Sequence, residues 1–453
     1  MPSLGSGILP SMAGASGFSS TRSFRPQFLL RAFKYRNYRL FFSGQIVSLV
    51  GTWLSIVATS WLVYRLATEN PDSSFGSAAF VLGLVGFASQ VPQLLLAPLA
   101  GVWVDRVSRH KMLMATQFFS MCQSVVLAYL AVSRNITIPQ ILALNVFQGI
   151  VNAFDMPARQ AFVVEMIENH EDLSNAIALS SSMVHVARFM GPAIGGFLIY
   201  HFGESSCFMI DAVSYLAVLM ALVCMHVKPI EVREKSGKIM AQMKDGLHYA
   251  WHFPPIRSLL LLTSITSVFY MALGTLLPIF ASKVLGGESR VYGLLLGASG
   301  LGAFVGAILL AARRSVVGLG RLIAYSNTTL GMTLMFFAVS RHLGFSLAML
   351  VISGFCMVSQ MASSNTILQT IVEPSKRGRV MSLFGMAFLG MAPIGSLIAG
   401  SVADGMGPST MIAIAGAVIA LTGLVFTRKL SKLREHIRPI YERLGLYGEL
   451  PPG

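Results

Sequence analysis

The sequence predicts an all-α membrane protein with twelve transmembrane helices in two pseudo-symmetric six-helix bundles, and three observations carry that prediction. The 453 residues are 54% hydrophobic and 12% charged, with a mean hydropathy of +0.67, whereas a soluble domain carries roughly 25% charged residues. Apolar runs of about 20 residues, long enough at ~1.5 Å per residue to cross ~30 Å of hydrocarbon, recur twelve times between Arg39 and Phe426. All but six of the 34 Lys and Arg lie in the tails and alternate connections on one side. Arg65, Arg134, Lys283, Arg290 and Arg341 fall on the other side, and Arg188 lies within a span. This is the positive-inside pattern. It puts both termini in the cytoplasm of a multi-pass membrane protein and explains the net charge of +15 without nucleic acid.

The elements follow in order. Residues 1–36 read as a flexible cytoplasmic tail, rich in Ser and Gly and without the apolar core of a signal peptide. The N-terminal bundle, 37–227, has spans at 40–64, 78–102, 112–132, 138–156, 178–200 and 206–227. A charged linker, 228–256, carries Met240, Met243, Leu247 and Trp251 at helical spacing, which predicts an amphipathic helix on the inner membrane surface. The C-terminal bundle, 257–427, has spans at 257–281, 291–312, 321–340, 345–369, 381–403 and 408–427, and 428–453 is a second cytoplasmic tail. The halves echo one another: "GPAIGGFLI" and "MAPIGSLIAG" stand on the two fifth spans, followed by "YHFGES" and "DGMGPS". A period of about 200 residues predicts two parallel repeats around a central site. Cys122, Cys207, Cys224 and Cys356 lie in or at the ends of spans without ligand spacing and read as packing residues, with neither disulfide nor metal implied.

Two stretches carry chemistry. "GVWVDRVSRHKM", between the second and third spans, has the pattern G-x-x-x-D-R-x-x-R. Gly101 lets two helices approach closely, Asp105 can face the positive end of a helix near Val380 to Ser382, and Arg109 can reach a carboxylate such as Asp155. Such a cluster is either a latch that forms in one conformation or a fixed brace. "ARFMGPAIGGFLI" is the second stretch. Pro192 removes a backbone hydrogen bond and Gly191, Gly195 and Gly196 remove side chains, so the helix can bend and press on a partner across the two halves; ordinary small-residue packing is the other reading. Arg188 sits ~15 Å into the span, where an unpaired charge costs at least about 2.5 kcal/mol. It needs a partner, either Asp155 or an anionic group on a cargo in a watery cavity. His185, one turn earlier on the same face, either exchanges a proton or is hydrogen-bonded to a neighbouring helix. Asp211 and Asp404 read as solvated carboxylates near the outer ends of spans, and Glu165 and Asp172 as helix-end charges.

These stretches resemble the major facilitator superfamily over essentially all twelve spans. Gly101, Asp105, Arg106 and Arg109 match its signature, with Ser108 in place of the usual glycine. Gly191, Pro192, Gly195 and Gly196 match its fifth-span motif of proton-coupled exporters, with Ala187 where a glycine often precedes. "GTW", "NAFDMPARQAFVVEMI", "SNAIALSSS" and "ARFMGPAIGG" more closely resemble the transmembrane secretion effector branch, which includes the enterobactin exporter. One departure matters: the fourth-span arginine that precedes "xxQG" in the family is Asn145 here, before Gln148-Gly149, so coupling by that arginine does not carry over.

The resemblance implies the major facilitator fold, with the first, fourth, seventh and tenth spans lining the cavity. Their polar residues are the candidates: Gln45, Ser48 and Thr52, then Gln148 and Asn152, then Tyr270, then Gln360, Ser364 and Gln369. An uncharged lining of amides, hydroxyls and methionines suits a bulky amphipathic molecule. The resemblance implies a monomeric secondary active exporter of a siderophore, drug or lipid-like metabolite, with protons as coupling ion and no cofactor. A facilitator or importer of the same fold, or a non-transporting scaffold or sensor, stand beside it. An enzyme is not expected, since the sequence has no G-x-x-x-x-G-K-[ST] loop, metal-ligand cluster or nucleophile-base pair.

Overall fold

Each apolar run forms a helix, because in hydrocarbon backbone amides have no water to bond and must bond within their own segment. The computed structural model describes residues 30–69, 76–227, 239–313, 315–374 and 376–445, and among them it has twelve helices long and apolar enough to cross a membrane. The first half contains α1 (Arg36–Glu69), α2 (Ala78–Arg106), α3 (Arg109–Val132), α4 (Ile138–Glu165), α5 (His170–Phe202) and α6 (Glu204–Val223). A shorter α7 (Ile239–His252) leads into the second half. There lie α8 (Pro254–Ile279), α9 (Ser289–Ala311), α10 (Leu319–Val339), α11 (Leu343–Ile371), α12 (Arg377–Gly385), α13 (Ala392–Met406) and α14 (Pro408–Arg443). A π-turn at Met386–Gly390 joins α12 to α13 as one span.

Local chemistry sets the boundaries. The Ser77 hydroxyl accepts from Phe80 N at the start of α2, and Thr137 and Gln140 form a capping box on α4. The two fifth-to-sixth turns noted in the repeat are built alike. Gly203 and Gly407 take φ of 77° and 83°, a region that favours glycine, and each opens the next helix directly.

Two sequence boundaries are corrected. The N-terminal tail is not wholly free: Arg31–Lys34 form a 3-10 turn tied to α5, with Ala32 N donating to Asn175 Oδ1 at 3.0 Å and Lys34 paired with Asp172 at 2.5 Å. That carboxylate raises the Lys34 pKa above its ordinary value, chiefly by hydrogen bonding. The last span does not stop near residue 427, because α14 continues to Arg443 and buries Leu433 and Tyr441 against the second half. In α7 only part of the linker is described; Gly246 lies against Arg379 of α12, with Leu247 and Trp251 exposed. The Met240 and Met243 side chains, like residues 228–238, lie outside the described set.

Outward faces are apolar. Phe118, Tyr129, Val213, Met220 and Leu421 are exposed, a surface that water would penalise and lipid accepts. Both described ends of the chain lie at one end of the bundle, called here the termini end; the other is the far end. The halves meet where α5 crosses α9 and α2 crosses α13, and both crossings are built on glycine. A Cβ on Gly196 would lie 2.6 Å from Ser289 O and 2.8 Å from Gly293 Cα, and one on Gly83 would lie 2.6 Å from Ser396 O and 2.9 Å from Gly400 Cα. Both close approaches are in the far-end parts of these helices. Trp61 stacks on Tyr292 beside them, ring centroids 6.0 Å apart.

Candidate functional site: a cavity between the halves

Beneath the far-end closure lies a cavity of about 470 Å³. The first half supplies most of its polar wall: Thr52, Ser55 and Thr59 from α1, Ser89, Gln90 and Gln93 from α2, Gln123 from α3, and Asn145, Gln148 and Asn152 from α4. From the second half come Tyr270, Met271 and Thr275 on α8, Tyr292 and Ser299 on α9, and Ser396 on α13. Gln148 Nε2 donates to Ser120 Oγ and Asn152 Oδ1, each at 3.0 Å. The Tyr270 and Ser299 hydroxyls are 3.2 Å apart.

Thr52, Gln148, Asn152 and Tyr270 therefore line the cavity, and five other candidates do not. A helix turns one face to a cavity and the rest to its neighbours. On α1, Gly44, Ser48 and Gly51 share a face, and the two glycines seat it against Ala217, Val218 and Ser214 of α6; Ser48 is buried there, and Gln45 is buried as well. On α11, buried Gln360 donates to Ser364 and to Thr263 of α8, while Gln369 is exposed and bonds Asn365 of its own helix. Residues the sequence reading passed over take their place, from α2, α3, α6 and α9. Their signal was present in part, as glutamines and serines within apolar runs.

Arg188 lines this cavity. Its guanidinium carbon is 5.8 Å from the centroid of the Trp53 ring, within cation–π range, and it has no ion pair among the described residues. Asp155 is not its partner. That carboxylate is ion-paired with Arg159 one turn along α4 and accepts from Thr116 Oγ1 at 2.8 Å and Gln117 Nε2 at 2.7 Å. His185 is half-buried, with Nδ1 sealed from water and without a hydrogen-bond partner among the described residues.

The fifth-span glycines divide the work differently from the sequence reading. Gly191 faces α1 of its own half, where a Cβ would collide with Trp53, and Gly195 faces Leu54 at an ordinary 3.4 Å. Of the three, Gly196 makes the close approach across the halves. Pro192 lies inside a continuous α5 and lines the cavity; its carbonyl oxygen would be 2.5 Å from a Cβ on Gly293.

At the termini end, Arg109 pairs with Glu165 rather than completing the expected pairing with Asp155. The α3–α4 hairpin sets the first residue of one helix beside the last of the other, while Arg159, four residues along, occupies Asp155. Gly101 makes no close approach, since a Cβ there would meet nothing within 4 Å, and Arg106 is exposed. The Asp105 side chain lies outside the described set. Glu165→Ala is expected to lower stability by about 1–3 kcal/mol, because it removes the acceptor of a partly buried charged hydrogen bond from Arg109. Thermal melting of the purified protein checks this, and an unchanged midpoint would show the pair to be idle.

Twelve spanning helices in two halves, around a cavity walled by both, are the architecture of a major facilitator transporter. Residues 30–439 match the model of the transmembrane secretion effector family; the chain belongs to that family, which consists of transporters and not enzymes. It is 26% identical over 413 residues to the staphyloferrin A transporter of Staphylococcus aureus, covering 88% of this chain and 98% of that one. It is 24% identical to the multidrug efflux pump Tap of Mycolicibacterium fortuitum, over 85% of this chain and 93% of the pump. Among solved structures, a bacterial homologue of the human lysosomal transporter Spinster, in an inward-facing and unoccupied conformation, superposes with a TM-score of 0.61 at 17% identity, over 92% and 99% of the two chains.

Proposed function

We propose that the chain exports a small amphipathic organic molecule, a siderophore, drug or lipid-like metabolite with an anionic group, by alternating access driven by protons. The observation that carries this reading is Arg188, a cation at mid-helix that lines the cavity beside an aromatic face and lacks an ion pair among the described residues. An uncompensated charge at such a depth is expensive and marks a ligand pathway. A cavity of about 470 Å³ falls within the ~300–1,000 Å³ of small-molecule sites, and its amide-rich, aromatic wall suits an amphipathic cargo. Relatives named for a siderophore and for multidrug efflux support export of an organic molecule. We assign the termini end to the cytoplasm of a bacterial inner membrane, so the far-end closure shuts the cavity from the outside, and a single chain walls the cavity, in keeping with a monomer. The Asp105–Arg109 region would latch the termini end in the opposite state, with His185 as a proton-exchanging group.

Inside-out vesicles containing the protein test the reading with enterobactin, staphyloferrin A, ethidium and a neutral macrolide as probes. Accumulation that requires a proton gradient and collapses with an uncoupler is the expected result. Equilibration without accumulation would instead indicate a facilitator, and absence of flux for every probe a scaffold or sensor.

A further inference from the structure

We propose that Asp211 is a proton-binding site that ties the protonation state of the carrier to closure of its far end; this rests on the proton-driven reading above. Asp211 does not lie in solvated surroundings, as its place near a span end suggests. It is 2% exposed, ~10 Å along α6 from Glu204, and on the cavity wall. Oδ2 accepts from Ser124 Oγ at 2.6 Å. Oδ1 is sealed from water and has no donor within 3.5 Å among the described residues, the Ser55 hydroxyl of α1 being the polar group that faces this carboxylate.

The other low-exposure carboxylates of this half all have cations: Asp155 has Arg159, Glu165 has Arg109, Asp172 has Lys34 and Glu204 has Arg65. Asp211 has none among the described residues. From α1 it is faced by Ser55 and the backbone of Gly51, where a Cβ would come within 3.0 Å of Oδ1. From α3 come Ser124 and Gln123, and α6 itself contributes Ser214, Tyr215 and Cys207. On α5, Arg188 lies on the same cavity wall, with His185 three residues before it.

A carboxylate so placed burdens the shut state with an unpaired charge, and one proton on Oδ1 removes it. Uptake forms an O–H bond at Oδ1; release breaks it and passes the proton to cavity water when local movement of the wall uncovers this oxygen, which is sealed at rest, with the Ser124 hydroxyl donating to Oδ2 throughout. The neutral acid then suits the shut far end and the charged form the open one, so the proton acts as a ligand that shifts the conformational population. In an exporter, a proton taken from outside closes the empty carrier, and its loss to the cytoplasm favours reopening.

Spin labels on Cys substitutions of exposed Thr68 and Glu288, which lie across the far end, read this without any cargo. The protein is held in lipid nanodiscs with its four native cysteines replaced by Ala. In the otherwise unmodified protein, the distance distribution should shift to longer separations from acid to alkaline pH. Asp211→Asn should keep the short separation throughout, with a far-open fraction about tenfold or more lower at alkaline pH. A response that is absent in the parent, or unchanged in Asp211→Asn, would overturn the proposal. If Asp211→Asn does not insert, Ser124→Ala should move the midpoint of the response, and an unmoved midpoint would also overturn it. Proton-driven uptake in inside-out vesicles separates the two readings. Driven uptake together with an unchanged pH response in Asp211→Asn removes only the role of Asp211, whereas absence of driven uptake in the parent removes the exporter reading itself.

Discussion

Arg188→Gln is expected to abolish transport of anionic cargo while sparing neutral compounds. The guanidinium stands on the cavity wall beside Trp53 with no ion pair among the described residues, so its charge is available to a ligand. Losing one partner of a buried, charge-assisted contact costs about 2–5 kcal/mol, at least ~30-fold in affinity. Arg188→Lys should recover only part of this, since an ammonium keeps the charge but lacks the planar fork that grips a carboxylate or catecholate at two points. Concentration-dependent uptake of enterobactin and of a neutral macrolide, measured in the same inside-out vesicles, checks both statements. Equal losses for the two probes would make Arg188 a structural residue, and normal uptake of both would remove the anionic-cargo reading.

Gly196→Leu and Gly293→Leu are each expected to stop transport by holding the far end open. A Cβ on either glycine already comes within 2.8 Å of the other's Cα, and backbone atoms cannot step aside as a flexible side chain can. Even Ala at these positions should therefore reduce transport by about fivefold or more, because overpacking a tight contact costs ~1–3 kcal/mol. Gly195→Ala is the matched control: its added Cβ meets Leu54 at 3.4 Å and should be tolerated. The same spin-label pair should report an enlarged far-open population in the Gly196 and Gly293 variants only. Near-normal transport by Gly196→Ala in correctly inserted protein would show that this crossing is not needed for closure. At Gly191 a single methyl group already collides with Trp53, so Ala and Leu should both be harmful there.

What was legible in the sequence follows from properties that one segment holds by itself. Apolar length determined the twelve spans, because a helix must satisfy its own backbone in lipid. The repeat near residues 191 and 391 marked the two helices, α5 and α13, that carry the inter-half crossings. Mid-span depth alone singled out Arg188. Pairing was another matter. Arg109 and Asp155 had complementary charges, yet Arg159 lies one turn from Asp155 and Glu165 lies beside Arg109, and Coulomb attraction goes to the carboxylate the hairpin brings nearest. Cavity lining was equally out of reach, since Ser48 and Thr52 are one turn apart on α1 and only Thr52 reaches the cavity wall. Asp211 carries the lesson furthest: seven residues from a helix start it looked solvated, and only the packing of α1 and α3 around α6 sealed it from water. Hydropathy and charge placement act along the chain and are written in it, whereas burial, ion-pair choice and the face a helix turns to a cavity are set by neighbours distant in sequence, which only the tertiary structure brings together.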